Sequence, residues 1–516
     1  MYRILTASKD TYITNKIINN DFRATDANVG RAGTLDLFKL FDESDISGES
    51  KPKELTRVLV KFDLNPLRQL TGSILDYTDP SFKCNVKMFD VMGGQTLPSN
   101  FKLILFPLSK SFDEGIGKDV VKFQDLDAAN FITSSISGDT AVTWNITGAN
   151  AQGLLGSSNI DIISSGNLSD GNGVANLWKE QLFSNGTEDL CIDVTTLVSA
   201  TLSSQIPDHG FRISFSGTQE TDEKTRFVKR FSSRHSSNRN VTPRLEVMFD
   251  DSIQDHHESF FFDSTGSIFL NNKIRGRLKN IVSGSSLTEI KGNNSLLVKV
   301  STGSYNKIIT GSQFSRSTNF VTGVYSASFA IWSGDNSVVN TGTYGSVSLS
   351  DYVRDSGSIT FTTFWQSLDS TVGFFTGSLK INRQNTSGFT NVDPVLSWNI
   401  SNLNASYKVG NKARIRVVAF DIGEPVVVHK VPLERKSKIY TSAYYRIRDA
   451  YSHDVVIPFE TSKNATLLST DSDGMYFDIF TDDFPIGRSF VIDILLKDSG
   501  VDRVFEKIGG SFRIDP

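Results

Sequence analysis

The sequence predicts an all-β chain of several sandwich domains, and three observations carry that prediction. Short segments alternate apolar and polar residues with period two, the pattern of half-buried strands. Phe (37) far outnumbers Met (5), so rigid aromatics supply the apolar faces. Gly, Asn, Asp and Ser punctuate the segments at short intervals, as turns between antiparallel strands require. With 516 residues the chain exceeds one ordinary core and calls for two to four domains.

Taken in order, RVLVKFDL (57–64) places Val58, Val60 and Phe62 on one face and Leu59 on the other. FKLILFPL (101–108), FRISFSG (211–217) and RLEVMFD (244–250) follow the same pattern. So do LLVKV (296–300), SASFAIW (326–332), ITFTTFW (359–365), ARIRVVAF (413–420) and SFVIDILL (489–496). Helical patterning is confined to VANLWKEQLF (174–183) and a turn at DVTTLVSA (193–200).

A weak internal repeat organises the second half. SASFAI (326–331) resembles SAYYRI (442–447), and at the same offset ITFTTF (359–364) faces MYFDIF (475–480). LLVKV and ARIRVV precede these pairs in near register, and TGSLKI (376–381) and SFVIDI (489–494) follow them after a small gap. The expectation is two related immunoglobulin-like β-sandwiches, 251–395 and 396–516. Their boundaries fall at the polar DDSIQDHHES (250–259) and at NRQNTSGFTNVDP (382–394), where Pro394 holds Asp393 extended.

Composition restricts function. A net charge of −4, with both signs dispersed, gives no electrostatic footprint for nucleic acid. No uncharged apolar run approaches a membrane span, and the opening MYRILTASKDTYIT lacks a signal-peptide core. The two cysteines, Cys84 and Cys191, are expected to be buried free thiols in a chain made and folded in a cytoplasm.

Residues 1–250 carry a series of short signatures: KDTYI (9–13), NVG (28–30), LFKLFDES (37–44), RVLVKFDL, KSFDEGIG (110–117), AVTWNI (141–146), LCIDVTTLV (190–198), HGFRISF (209–215), FSSRHSSN (231–238) and PRLEVMF (243–249). In this order they resemble the disaggregatase-related, DNRLRE-type domain, with Phe112 standing where that family has tryptophan. The resemblance implies a jelly-roll-like β-sandwich similar to carbohydrate-binding modules. Over 400–516, SYKVGNKARIRVVAFD, TSAYYRIRDAYSHDVVIPF and STDSDGMYFDIFTDDFPIGRSFVIDILLKD are similar to structural proteins of tailed-bacteriophage virions.

The loop RFSSRHSSNRN (230–240) admits two readings. Its Ser and Asn side chains can bond their own backbone and aim the closing strand that begins at Pro243. Alternatively, Arg230, Arg234 and Arg239 form a cationic contact for an acidic sugar or a partner's carboxylate. The first is the stronger expectation.

Other constellations are weaker. In DHHE (255–258) the adjacent histidines point to opposite sides of a strand, and no third ligand has the right spacing. TDSDG (470–474) and SDGNG (169–173) lack the alternating oxygens of a calcium loop. There is no GxSxG and no P-loop, and Asp113 and Glu114 read as turn residues. Trp144 and Trp365 read as core. No catalytic residue, cofactor or metal site is therefore expected.

The leading expectation is a non-enzymatic structural component of a tailed-phage virion. It would assemble in the host cytoplasm as a homo-oligomer with other virion proteins, in the neck, tail, baseplate or fibre attachment. The alternative is an adhesin gripping an acidic host-surface polysaccharide through the first domain.

Overall fold

The computed structural model describes residues 1–516 except 72–73, 93–97, 123–124, 170–172, 258–259, 276, 285, 317–318, 333–334, 336, 341–344, 384–394, 424–436, 472 and 499. Strands hold 51% of residues and helices 6%, which makes the chain an all-β, multi-domain sandwich protein.

In the first unit the strand Tyr2–Thr14 belongs to two sheets. Tyr2 to Thr6 pair with Arg244–Met248, and Ala7 to Thr14 pair with Lys53–Phe62, with a bulge between Ala7 and Lys9 where the strand changes sheet. Arg244–Met248 continues to Lys83–Met88 and Leu190–Asp193. Lys53–Phe62 continues to Phe211–Phe215, Phe101–Pro107 and Lys179–Phe183, with Thr34–Phe41 and Arg226–Ser232 added at its side. Val58, Val60 and Phe62 face Val86, Leu245 and Val247 across the main core. Leu59, Ile104 and Phe106 face the other way, into a second core that Phe112, Phe131 and Trp144 complete. Side chains from 112 to 162 thus cover the outer face of this sheet, Phe112, Ala129, Phe131, Trp144, Ala149 and Ile162 among them. The unbroken apolar runs VLV and LILF follow from burial on both faces.

Two expectations are corrected here. Residues 174–183 form the strands Val174–Asn176 and Lys179–Phe183, not a helix. Phe183 stacks on Phe101 at 4.9 Å, and that tertiary contact overrides local helical patterning. Cys191 is exposed, because the alternation of Leu190–Asp193 turns it outward while Cys84 is buried; both are free thiols. The helix expected over 193–200 is present as Thr195–Leu202.

The middle unit is one seven-stranded sheet in the order Phe260–Phe261, Gly373–Asn382, Ser358–Gln366, Leu296–Thr302, Tyr305–Arg316, Asn319–Ile331, Ser264–Asn271. Its first and last strands are neighbours in sequence, so the sheet rolls on itself. Phe260 stacks on Phe329 at 4.7 Å across the seam. A Cβ on Gly266 would lie 2.2 Å from the Phe260 ring, which is why that strand position is glycine.

The last unit packs a four-stranded sheet (Leu396–Ile400, Lys412–Asp421, Gly474–Phe480, Ser469–Asp471) on a five-stranded one (Ser406–Lys408, Val501–Asp515, Ser489–Asp498, Ala443–Asp449, Val455–Ile457). Tyr445 and Phe477 stack at 4.1 Å between them. The repeat has a partial counterpart in topology. Leu296–Thr302 pairs antiparallel with Ser358–Gln366 as Lys412–Asp421 does with Gly474–Phe480. The fourth segments differ, since Gly373–Asn382 joins Ser358–Gln366 whereas Ser489–Asp498 joins Ala443–Asp449.

The polar stretch after residue 250 docks along Ser469–Asp471. Thr470 N–H donates to the Ile253 carbonyl at 2.8 Å, and Asp255 N–H to Thr470 Oγ1 at 2.7 Å. The boundary expected near 395 falls against 384–394, outside the described residues. Tyr2, Ile4 and Met248 of the first unit belong to the core of the last. There Arg3 donates to Asp483 at 2.9 and 3.0 Å, both side chains almost wholly buried. Among the described residues no helix is long and apolar enough to cross a membrane.

Candidate functional site

Four of the sequence signatures converge at one end of the first sandwich. Asn28, from NVG, is fully buried and ties together two turns: its Nδ2 donates to the carbonyls of Glu114 and Ala129, both at 2.8 Å. Its Oδ1 accepts Gly117 N–H at 2.9 Å and Gly30 N–H at 3.1 Å. The glycines are needed for this approach. A Cβ on Gly30 would stand 1.9 Å from the Glu114 carbonyl oxygen, and one on Gly117 1.9 Å from that of Asn28. The turn built this way presents the Glu114 carboxylate to Asp10, from KDTYI, and to Arg234 and His235, from SSRHSSN.

The arginine loop is held mainly by itself and by carboxylates. Ser233 Oγ accepts His235 N–H at 3.1 Å and donates to the Ala32 carbonyl, while Asn238 accepts Asn240 N–H at 3.1 Å. Arg230 forks onto Asp36 with two bonds of 2.6 Å on the paired strand, and that carboxylate raises the guanidinium above its ordinary value. Arg234 forks onto Glu114 at 2.6 and 2.9 Å, and its N–H donates to Asp10 Oδ2 at 2.6 Å. Arg239 is exposed and donates to the Arg234 carbonyl at 3.1 Å. Arg234 and Arg239 line a cleft of about 480 Å³ between the first and last units; Arg230 does not. Asp482 and Asp483 line the same cleft. The three arginines therefore do not form one cationic patch, and two of them are already neutralised.

Asp10, Glu114 and His235 bring candidate ligand atoms within 4.8 Å of one another. Burial pushes the Asp10 carboxyl up to about 7, with the neighbouring Glu114 charge adding and the Arg234 N–H and guanidinium opposing. Burial lowers His235 against the pull of Glu114. Sequence spacing could not find this group, because Asp10 and Arg234 stand 104 and 120 positions from Glu114. The signal available was the family-like order of the signatures.

The remaining candidates resolve simply. His257 Nδ1 lies 2.5 Å from Asp255 Oδ1 and His256 Nδ1 lies 3.2 Å from the Ser267 carbonyl; Glu258 lies outside the described residues, as does His429. Asp471 pairs with Arg416; residue 472 of TDSDG and 170–172 of SDGNG lie outside the described residues. Trp144, Trp365 and Trp398 are buried, and Trp332 is 61% exposed.

The sequence matches no known protein-family model and no curated protein. The grouping around Asn28 and Glu114 is thus a property read from this chain alone.

Proposed function

We propose that this chain is a non-enzymatic structural component of a tailed-phage virion, acting by protein–protein assembly as a homo-oligomer among other virion proteins and assembled in the host cytoplasm. One observation carries the reading. The first strand of the chain belongs to the first sandwich, yet its Tyr2 and Ile4 complete the core of the last. Units joined through a common core move as one body, which suits a part that holds neighbours in fixed relation. The phrases of 400–516 that resemble virion proteins supply the kind of assembly.

The adhesin reading is weaker on the same geometry. Two of its three arginines, Arg230 and Arg234, are engaged by Asp36 and Glu114, and Phe112, Phe131 and Trp144 cover the sheet face that would otherwise lie open. Quantitative mass spectrometry of purified particles tests the proposal. A fixed copy number per particle, a multiple of three, six or twelve, is expected. Absence from particles, with the chain free or at a cell surface, would sink it.

A further inference from the structure

We propose that Asp10, Glu114 and His235 form a binding site for one divalent transition-metal ion, of the class of Zn²⁺ or Mn²⁺, that ties the first strand, the glycine turn and the closing loop of the first sandwich together. The donor set is two carboxylates and one imidazole, which suits these ions better than Ca²⁺ with its six or more oxygens. Ligand atoms around a tetrahedral ion stand about 3.4 Å apart; His235 Nε2 and Glu114 Oε1 are already 3.4 Å apart, and all three ligand atoms lie within 4.8 Å of one another.

A second observation points to a ligand at this place. Asp10 is fully buried, and while its Oδ2 accepts the Arg234 N–H, its Oδ1 has no hydrogen-bond partner. His235 Nε2 also lacks one, standing 3.4 Å from Glu114 Oε1 without bonding geometry. Buried polar atoms are normally satisfied, and a carboxylate oxygen and an imidazole nitrogen left open beside each other share one natural partner, a cation. The Glu114 turn is already fixed by Asn28, so little ordering is left for the metal to impose. Arg234 is the competitor. It occupies both Glu114 oxygens, and it lines the 480 Å³ cleft, into which its guanidinium can turn when an ion takes Oε1.

The test uses the full chain, stripped with a chelator and titrated with Zn²⁺, Mn²⁺ and Ca²⁺ by calorimetry, with melting temperature followed in parallel. One saturable site for Zn²⁺ or Mn²⁺ is expected, with a rise in melting temperature and Ca²⁺ at least tenfold weaker. Asp10→Asn and His235→Ala should each weaken binding at least tenfold; His235→Gln, at a partly exposed position, serves if Asp10→Asn does not fold. No saturable uptake of either metal overturns the proposal, and so does uptake that the His235 variants leave unchanged. It stands or falls independently of the virion reading.

Discussion

The terminal units and the middle unit solve the same problem differently. The terminal units bury charge in pairs: Arg3 with Asp483 at 2.9 Å, Arg57 with Glu220 at 2.8 Å, Lys229 with Asp90 at 2.5 Å, Arg448 with Asp493 at 2.6 Å. Among the described residues of 260–383 no charged side chain is buried; the interior polar groups are amides and hydroxyls such as Asn280, Gln313 and Thr363. Gln313 Nε2 donates to Asn280 Oδ1 and to the Val321 carbonyl, both at 3.1 Å, so this buried amide pair is satisfied without charge, while Thr363 Oγ1 and Trp365 Nε1 have no hydrogen-bond partner. Buried ion pairs add little net stability, yet they penalise any arrangement that separates the partners. The Arg3–Asp483 pair lies where the two terminal units must meet in one register, while the middle unit closes on itself through Phe260 and Phe329 and needs no such marker.

The largest effects should separate the two regions. Trp365→Ala empties the middle core and should destabilise that unit by about 3–5 kcal/mol, leaving the terminal pair unchanged in hydrogen exchange. Loss of protection in both regions would mean they unfold together. Arg3→Leu leaves a buried carboxylate unpaired and should destabilise the terminal pair by about 3–5 kcal/mol at pH 8, and by less at pH 5, where Asp483 can take a proton.

A pH series sharpens the contrast. Burial raises Asp483 to about 7 although Arg3 pulls it down, so the folded state binds its proton more tightly than the unfolded chain does. That contribution to stability is complete below the ordinary carboxylate range and is lost as pH rises through about 7; Asp10 acts in the same direction. The melting temperature of the terminal pair should therefore fall between pH 5 and 7 from this cause, and Asp483→Asn should flatten the slope. An unchanged slope in the variant would assign it to other groups.

Smaller effects come last. Gln313→Ala takes the acceptor from the Gly292 N–H and a donor from the Val321 carbonyl and Asn280 Oδ1, and should lower middle-unit stability in denaturant titration by about 1–3 kcal/mol. Arg230→Ala removes a half-buried surface pair and should change terminal stability by about 0–1 kcal/mol. A loss above 2 kcal/mol there would give Arg230 a structural role that its geometry does not suggest.

Much of the architecture was legible because strand alternation is local. Val58, Val60 and Phe62 against Leu59 divide between the two cores as their period requires. The helix Leu349–Ser356 also had a readable signal, Ser348 as its N-cap and Gly357 at φ 77° beyond its end, although strand patterning on both sides obscured it. Lys179–Phe183 was not legible, since only the Phe101 ring across the sheet tells that segment from an amphipathic helix.

By itself the sequence determined the all-β class and the self-bonding loop that delivers Arg244–Met248, because period, turn residues and local side-chain bonds act over a few positions. Tertiary structure alone decided that Arg234 meets Glu114, that Asp10 and His235 join them, and that Tyr2 and Ile4 finish a core some 400 residues downstream. Those partners are brought together by sheet pairing and burial, whose free energy depends on distance in space and carries no trace of distance along the chain.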